Sequence, residues 1–174
     1  LNDASEGTLP RLRFRQVCDR LSKEDKLDEA FLNVINNVQP NKTDLIIPTN
    51  GGKKRPVRDS YKTYIVSFSE DSDSLAMWNY YSKGSHYEGM NIGIDTQVLL
   101  NSLNSTLNKN GTVNIQAAKV IYDEDEQLEI IEEAILDLRR AYTPGHETSV
   151  RFCVGTLLAK LGPVFKLDYF SYER

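Results

Sequence analysis

The sequence predicts a single α+β domain in which about four helices pack on a mostly antiparallel sheet. Three observations favour this fold class. Some short stretches are rich in β-branched and aromatic residues, others place apolar residues three and four positions apart, and turn-forming residues separate the two kinds. With 174 residues, 40% of them apolar, the chain is long enough to bury one hydrophobic core.

The first predicted element is an amphipathic helix over residues 22–39. Its apolar residues recur at helical spacing, Ser22 is a suitable N-cap, and Pro40 ends the pattern. The following stretch, residues 41–60, reads as a loop with four basic side chains, which are Lys53, Lys54, Arg55 and Arg58. This basic loop is either solvated or an anion-binding flap.

The middle of the chain alternates predicted strands with short connections. Residues 61–68 and 89–94 have strand composition, and between them residues 74–81 form a short helix capped by Ser72 or Asp73. The Asn-rich residues 101–114 predict a loop or hairpin turn. Residues 113–122 then return as a strand.

Two helices and a strand complete the predicted fold. Residues 124–142 place apolar side chains on one stripe, with an acidic start and a basic end that complement the helix dipole. Residues 150–161 are apolar nearly all round and should form the more buried helix, which Gly162 and Pro163 end. The alternation over residues 164–172 predicts a strand, so we expect the chain to be a fragment that lacks a first strand and the end of its last one.

Composition and motifs exclude several classes of protein. The net charge of −4 and a pI near 5.3 do not suit a general nucleic-acid binder. No apolar window is long enough for a membrane span, and the first residues do not resemble a signal peptide, so we expect a cytoplasmic protein. The P-loop, HExxH and GxSxG motifs are also absent from the sequence.

Cysteine and histidine usage predicts neither a disulfide nor a metal site. Cys18 and Cys153 lie far apart in the sequence, and we expect two buried free thiols. His86 and His146 are the only histidines, and neither has a second ligand at helical or hairpin spacing. We therefore expect no metal.

The densest cluster of unusual residues lies between Ser67 and Glu88. Ser67 and Ser69 stand at a predicted strand end, and the short helix that follows carries Trp78 and Tyr81 on one face. These residues either line a pocket with an aromatic wall or pack in the core beside a simple turn. His86 and Glu88 can share one face as an acid and base pair, or lie in a surface loop.

Five short motifs together resemble a bacterial family, the domain of unknown function numbered twenty-nine seventy-one. They are LNDASE at residues 1–6, SFSE at 67–70, MW with Tyr81 at 77–81, glycines at 89 and 93, and a closing FK with F-S-Y-E at 165–173. Ala4 departs from the proline of the family pattern. Some relatives in this family resemble genes of phage-resistance systems, which implies a role in phage defence.

The arrangement is also similar to that of ADP-ribosyltransferases, which use NAD. That resemblance implies a pocket lined by Ser67, Ser69, Trp78 and Tyr81, with Ser69 and Glu173 as catalytic residues. The alternative is a non-catalytic sensor or protein-interaction module. In that alternative the turn at Asn2 and Asp3, with the strand end and the helix of Trp78, binds a ligand or a partner protein, and the basic loop docks an acidic surface or a nucleic-acid backbone.

Overall fold

The computed structural model describes residues 8–36, 46–47, 55–56, 65–71, 73–81, 90–107 and 115–173. Six α-helices, one 3-10 helix and one pair of two-residue strands form in these ranges. In chain order they are α1 (Leu9–Lys23), α2 (Glu29–Asn36), β1 (Ile46–Ile47), β2 (Arg55–Pro56), α3 (Leu75–Tyr81), α4 (Thr96–Leu107), α5 (Glu124–Ala141), α6 (Glu147–Leu161) and the 3-10 helix (Asp168–Glu173).

The predicted α+β class is wrong, because the described part of the chain is mainly helical. Its strand pairing is confined to the antiparallel pair β1 and β2 and to one parallel bridge between Ile121 and Phe165. Residues 65–69 and 90–95 lie outside helices and strands, and several of their apolar side chains are exposed. Alternating apolar and polar residues suit a β-strand, but a strand forms only where a neighbouring strand completes its backbone hydrogen bonds.

Helix α1 was not predicted, although it contributes a large share of the core. Pro10 lies in its first turn, where the missing N–H costs nothing, and Phe14, Val17, Cys18 and Leu21 repeat at helical spacing on its buried face. The basic side chains that interrupt this pattern obscured the helix in the sequence.

The single helix predicted over residues 22–39 is in fact the end of α1, a turn, and α2. Asp25 has a φ of 55°, which breaks the helix. Ser22 lies in the last turn of α1, and the cap of α2 is Asp28, whose carboxylate accepts the Phe31 N–H at 2.8 Å. Residues 37–40, with the predicted stop at Pro40, lie outside the described residues.

Helix α4 replaces the first half of the predicted loop over residues 101–114. The Asp95 carboxylate accepts the Val98 N–H at 3.0 Å and so starts the helix. Asparagine is a weak helix former, which favoured the loop prediction. The helix still forms because Asp95 caps it and its asparagines lie at exposed positions. No side chain of α4 is buried.

Helix α5 confirms its predicted position and α6 its predicted end, but α6 begins at Glu147, three residues before the predicted start. Asp123 caps α5 by accepting the Glu126 N–H at 2.8 Å, and α6 ends before Gly162 and Pro163. The expectation that α6 is the more buried helix is wrong. Only Val150 and Val154 are fully covered on α6, because its neighbours α1 and α2 contact one face, and Phe152 remains exposed.

One hydrophobic core holds α1, α2, α5 and α6 together. Helix α1 packs along α5, and α2 packs on α6. Residues with little or no exposure fill the space between them, namely Val17, Leu21, Phe31, Ile35, Ile131, Ile135, Val154 and Phe165. Phe165 comes from the segment after α6, so this segment is anchored in the core.

The strand predicted over residues 164–172 is limited to Phe165 in the parallel bridge. The chain then turns into the 3-10 helix, which contacts α3. The backbone hydrogen-bonds locally here instead of to a neighbouring strand, as Phe170 N–H does to the Leu167 carbonyl at 3.0 Å.

Candidate functional site

The contact between α3 and the 3-10 helix joins two of the segments that the sequence analysis singled out. Helix α3 carries Trp78 and Tyr81, and Glu173 ends the 3-10 helix. The side chains of Tyr81 and Glu173 lie outside the described set. We call the contact between these two helices the α3 junction.

Trp78 is half-buried on α3, and its indole N–H donates to the Asp73 carboxylate at 3.0 Å. Ser74, rather than the predicted Ser72 or Asp73, caps the helix, because its hydroxyl accepts the Met77 N–H at 3.4 Å. The ring is therefore neither a fully buried core residue nor a free surface group. The exposed part of the indole can pack against another molecule.

The two candidate serines precede α3 in an irregular stretch. Ser67 is exposed, and Ser69 is half-buried. The Ser69 hydroxyl donates to the Asp71 carbonyl at 3.1 Å and accepts the Asp71 N–H at 3.2 Å. Ser69 thus closes a local turn in this structure, which is one of the two roles that the sequence left open.

The other candidate residues belong to parts of the chain that the structure does not describe. Asn2, Asp3 and His86, together with Glu88, lie outside the described residues. The basic side chains Lys53, Lys54 and Arg58 also lie outside them, and only the backbone of Arg55 is described, in β2.

An ion pair connects the stretch before α3 to the chain before α5. Lys119 Nζ lies 3.4 Å from a carboxylate oxygen of Glu70, and both side chains are mostly exposed. An exposed pair of this kind contributes little to stability because water and salt screen it. It nevertheless places the SFSE motif beside residues 115–120.

A buried polar cluster between α1 and α5 escaped the sequence analysis. The Arg13 guanidinium donates to Gln127 Oε1 at 3.2 Å, to Glu124 at 2.5 Å and to Gln16 at 3.0 Å. Gln127 is fully buried. The sequence did contain a signal for this residue, since Gln127 lies four positions before Ile131, on the apolar stripe of α5.

The described titratable groups with shifted pKa values serve the fold. The Gly145 N–H donates to Glu147 at 2.9 Å and lowers the pKa of Glu147, while partial desolvation and the nearby Glu147 raise the pKa of Tyr142. The Tyr142 hydroxyl donates to Glu147 at 3.3 Å. Together these bonds fix the turn between α5 and α6.

The two cysteines do not share the predicted burial. Cys18 is buried in α1, as expected, but Cys153 is exposed on α6 because it faces away from α1 and α2. Burial raises the pKa of Cys18 to about 12. Within the described ranges, His, Cys, Asp and Glu side chains form no group of three that could hold a metal ion.

The family match covers the C-terminal part of the chain. Residues 77–174 match the family described as a protein of unknown function, DUF2971. The chain belongs to the DUF2971 family. Searches of curated proteins and of solved structures gave no significant match. None of the helices in the described ranges is long and apolar enough to cross a membrane.

The DUF2971 match has its two ends at the α3 junction. It starts at Met77 within α3 and ends at Arg174, directly after the 3-10 helix. Three of the five motifs therefore fall inside the matched region, whereas those at residues 1–6 and 67–70 precede it. Helices α1 and α2 also lie outside the DUF2971 match, although they supply half of the helical core.

Proposed function

We propose that this DUF2971 protein binds a nucleotide, with NAD as the first candidate, at the α3 junction and acts as an ADP-ribosyltransferase-like enzyme. The observation that carries the proposal is the contact between α3 and the 3-10 helix. It brings the segment of Trp78 beside the segment of Glu173, although the two are distant in sequence. The proposed reaction uses both, Trp78 for binding and Glu173 for catalysis.

Each residue would have a separate task in this reaction. The exposed part of the Trp78 indole would stack on a flat heterocycle, which aromatic side chains do well. The Glu173 carboxylate would stabilise positive charge on the ribose as the nicotinamide leaves with the electron pair of the broken glycosidic bond. A nucleophile on the acceptor would then bond to the ribose carbon and lose its proton.

Ser69 requires one adjustment in this scheme. Its hydroxyl is engaged with Asp71 in the turn, so binding of a ribose hydroxyl must replace the bond to the Asp71 carbonyl. Because one hydrogen bond is exchanged for another, the net free-energy cost of this replacement is small.

A thermal-shift screen tests the proposal. The ligands are NAD, ATP, GTP, cyclic nucleotides and short nucleic acids, and a ligand at a hundred times its dissociation constant stabilises the protein by about 2.7 kcal/mol. We expect a shift with NAD that is lost in Trp78→Ala and reduced in Ser69→Ala. Phe152→Ala is the matched control, since this exposed aromatic residue lies on α6.

The variant Glu173→Gln separates binding from catalysis. It should keep the NAD shift and lose the release of nicotinamide, because the charge of the carboxylate is needed only in the transition state. Trp78→Phe retains a ring and guards against a folding defect in Trp78→Ala. Absence of any NAD shift in the wild-type chain would overturn the proposal.

A protein-interaction module is the second candidate, and exposed apolar side chains favour it. Among the described residues between 66 and 98, several large apolar side chains are exposed, namely Val66, Phe68, Leu75, Met90, Ile92 and Val98. Met90 is 82% exposed, and exposed apolar side chains that lie together commonly mark interaction sites. A second copy of the chain is the occupant to test first, because extended segments with exposed apolar residues readily pair with their own kind.

Sedimentation velocity over a concentration series tests self-association. We expect the wild-type chain to associate and the double variant Met90→Lys, Ile92→Lys to remain monomeric. Phe152→Lys introduces a charge at an apolar site on α6 and should associate like the wild type. A wild-type chain that stays monomeric throughout contradicts association through this surface.

We propose phage defence as the biological setting, supported by the resemblance of some family relatives to phage-resistance genes. Expression of the wild-type chain in a bacterial host should reduce the efficiency of phage plating, and Glu173→Gln should restore it if the enzymatic proposal is correct. Equal plating with and without the wild-type chain would contradict this setting.

A further inference from the structure

The buried Arg13 and Gln127 side chains connect three parts of the chain. Arg13 is 6% exposed, Gln127 is fully buried, and their bond joins α1 to α5. The Gln127 amide nitrogen donates to the Ile121 carbonyl at 2.7 Å and to the Lys166 carbonyl at 2.8 Å. These two carbonyls belong to the parallel bridge between Ile121 and Phe165 and to its flank.

Gln127 makes three hydrogen bonds in this arrangement. Both hydrogens of its amide go to carbonyls of the bridge, and its oxygen accepts the Arg13 guanidinium. Arg13 and the two carbonyls together fix which way the Gln127 amide faces. If the amide oxygen lost Arg13, a buried acceptor would lose its hydrogen bond, and this cost would weaken the hold of Gln127 on the bridge.

The bridge leads directly into the 3-10 helix. Ile121 N–H donates to the Val164 carbonyl at 2.9 Å, and Lys166 N–H donates to the Ile121 carbonyl at 3.1 Å. The 3-10 helix begins two residues later at Asp168 and contacts α3. The position of the 3-10 helix at the α3 junction thus depends on the bridge.

We propose that Arg13 of α1 is a positioning residue that holds the closing segment, residues 164–173, in place through Gln127. Helix α1 lies outside the DUF2971 match, so this contact lets a part of the chain beyond the matched region control the α3 junction within it. Arg13 acts at a distance, since its guanidinium donates to Gln16, Glu124 and Gln127.

Arg20 provides a matched control for Arg13. It also belongs to α1 and also pairs with α5, through Glu132 at 2.5 Å, but this pair is partly exposed. In the described part of the chain, Arg20 pairs with Glu132 and Glu132 also pairs with Lys26, so these ion pairs do not involve the closing segment. Loss of Arg20 therefore tests the effect of weakening the contact between α1 and α5 without touching Gln127.

Hydrogen exchange followed by NMR is the deciding experiment. In Arg13→Met we expect the Ile121, Lys166 and Phe170 amides to exchange about tenfold faster, as the weakening of one buried hydrogen bond would give. The Leu32 amide, which donates to the Asp28 carbonyl at the start of α2, should keep its wild-type exchange rate. Arg20→Met should leave all four rates unchanged.

Two further variants keep the test decisive. Arg13→Lys, which preserves charge but cannot contact Gln127 and Glu124 with a planar fork, should accelerate the same amides to a smaller extent. Gln127→Met also removes the bonds to the bridge carbonyls, so it should accelerate the same amides at least as much as Arg13→Met, and the double variant should not exceed Gln127→Met. Equal acceleration at Leu32, or unchanged rates at Ile121 and Lys166 in a folded Arg13→Met protein, would overturn the proposal.

The effect of Arg13 on activity rests on the proposed function, but the exchange measurement does not. If NAD does not bind and the exchange pattern is as expected, the positioning role stands and the enzymatic proposal fails. If NAD binds and the exchange pattern is uniform, the enzymatic proposal stands and the positioning role fails.

Discussion

At the scale of single residues, the two cysteines show how surroundings decide reactivity. Cys18 lies inside the contact between α1 and the core, whereas Cys153 is exposed on α6. The thiolate is the reactive form of cysteine, and burial raises the pKa of Cys18 from 9.0 to about 12. Cys18 therefore carries a thiolate in only about one molecule in ten thousand at pH 8.

We predict that iodoacetamide modifies a single cysteine in the folded protein at pH 8. Mass spectrometry should find the label on Cys153, and Cys18 should react only after denaturation. Cys153→Ser should remain unlabelled while folded. Rapid labelling of Cys18 in that variant would show that α1 opens readily.

Since the raised pKa favours the folded state only while the thiol is protonated, the stability that Cys18 contributes should fall as the pH rises above 9.0.

Asp28 combines a cap with an ion pair at the start of α2. The Phe31 N–H is the main cause that lowers the pKa of Asp28 below its usual 3.8, and Arg139 adds to it. The stability that Asp28 contributes is thus present above pH 3.8 and is lost as the pH falls through the lower pKa of the folded state.

An NMR titration of the Asp28 carboxyl group should give a midpoint below 3.8. In Arg139→Met the midpoint should rise but stay below 3.8, because the bond from Phe31 remains. Arg140→Met is the control, since Arg140 pairs with Asp137 instead. A midpoint at 3.8 or above in the wild type would contradict the capping role.

At the scale of secondary structure, capping carboxylates define where the helices begin. Asp28, Asp95 and Asp123 each accept a backbone N–H three residues ahead. The acidic start of α5 is evident in the sequence, whereas the caps at Asp28 and Asp95 are not. Asp28 was hidden within an apparently continuous helical pattern, and Asp95 preceded a stretch of asparagines.

Removal of the α5 cap should weaken the whole fold. We predict that Asp123→Ala lowers the free energy of unfolding by about 1 kcal/mol, the usual effect of losing such a cap. Urea denaturation measures this change. Asp125→Ala removes a charge from the same first turn without removing the cap, so its loss should be clearly smaller. Equal losses in the two variants would mean that charge at the helix start matters more than the capping bond.

At the scale of the whole molecule, the core does not follow the limits of the family match. Ile131, Ile135 and Phe165 lie within residues 77–174. They are buried in the same core as Val17 and Leu21 of α1, which lie outside that range. Without α1 and α2, these apolar surfaces would face water.

We therefore predict that residues 77–174 alone do not form a stable fold. Amide signals of this fragment in a heteronuclear NMR spectrum should show little dispersion, and its urea denaturation should not be cooperative. The whole chain of 174 residues should unfold cooperatively under the same conditions. A dispersed spectrum from the fragment would show that the matched region folds by itself.

The sequence by itself determined the helices that combine recurring apolar residues with a distinct start or end signal. These are α5, α6 and the short α3, and the same local signals placed Trp78 on a helix before Tyr81. The family resemblance also came from the sequence, since linear motifs carry it. Hydrogen bonds between nearby residues form helices and their caps, so the local sequence suffices to predict them.

Only the tertiary structure decided the fold class and the composition of the candidate site. Residues 65–69 and 90–95 have strand-like sequences, but a strand exists only where another backbone completes its hydrogen bonds. In the same way, Gln127 looks like an ordinary polar residue until Arg13 and the carbonyls of Ile121 and Lys166 surround it. These partners lie far away in the sequence, and packing of the core brings them together.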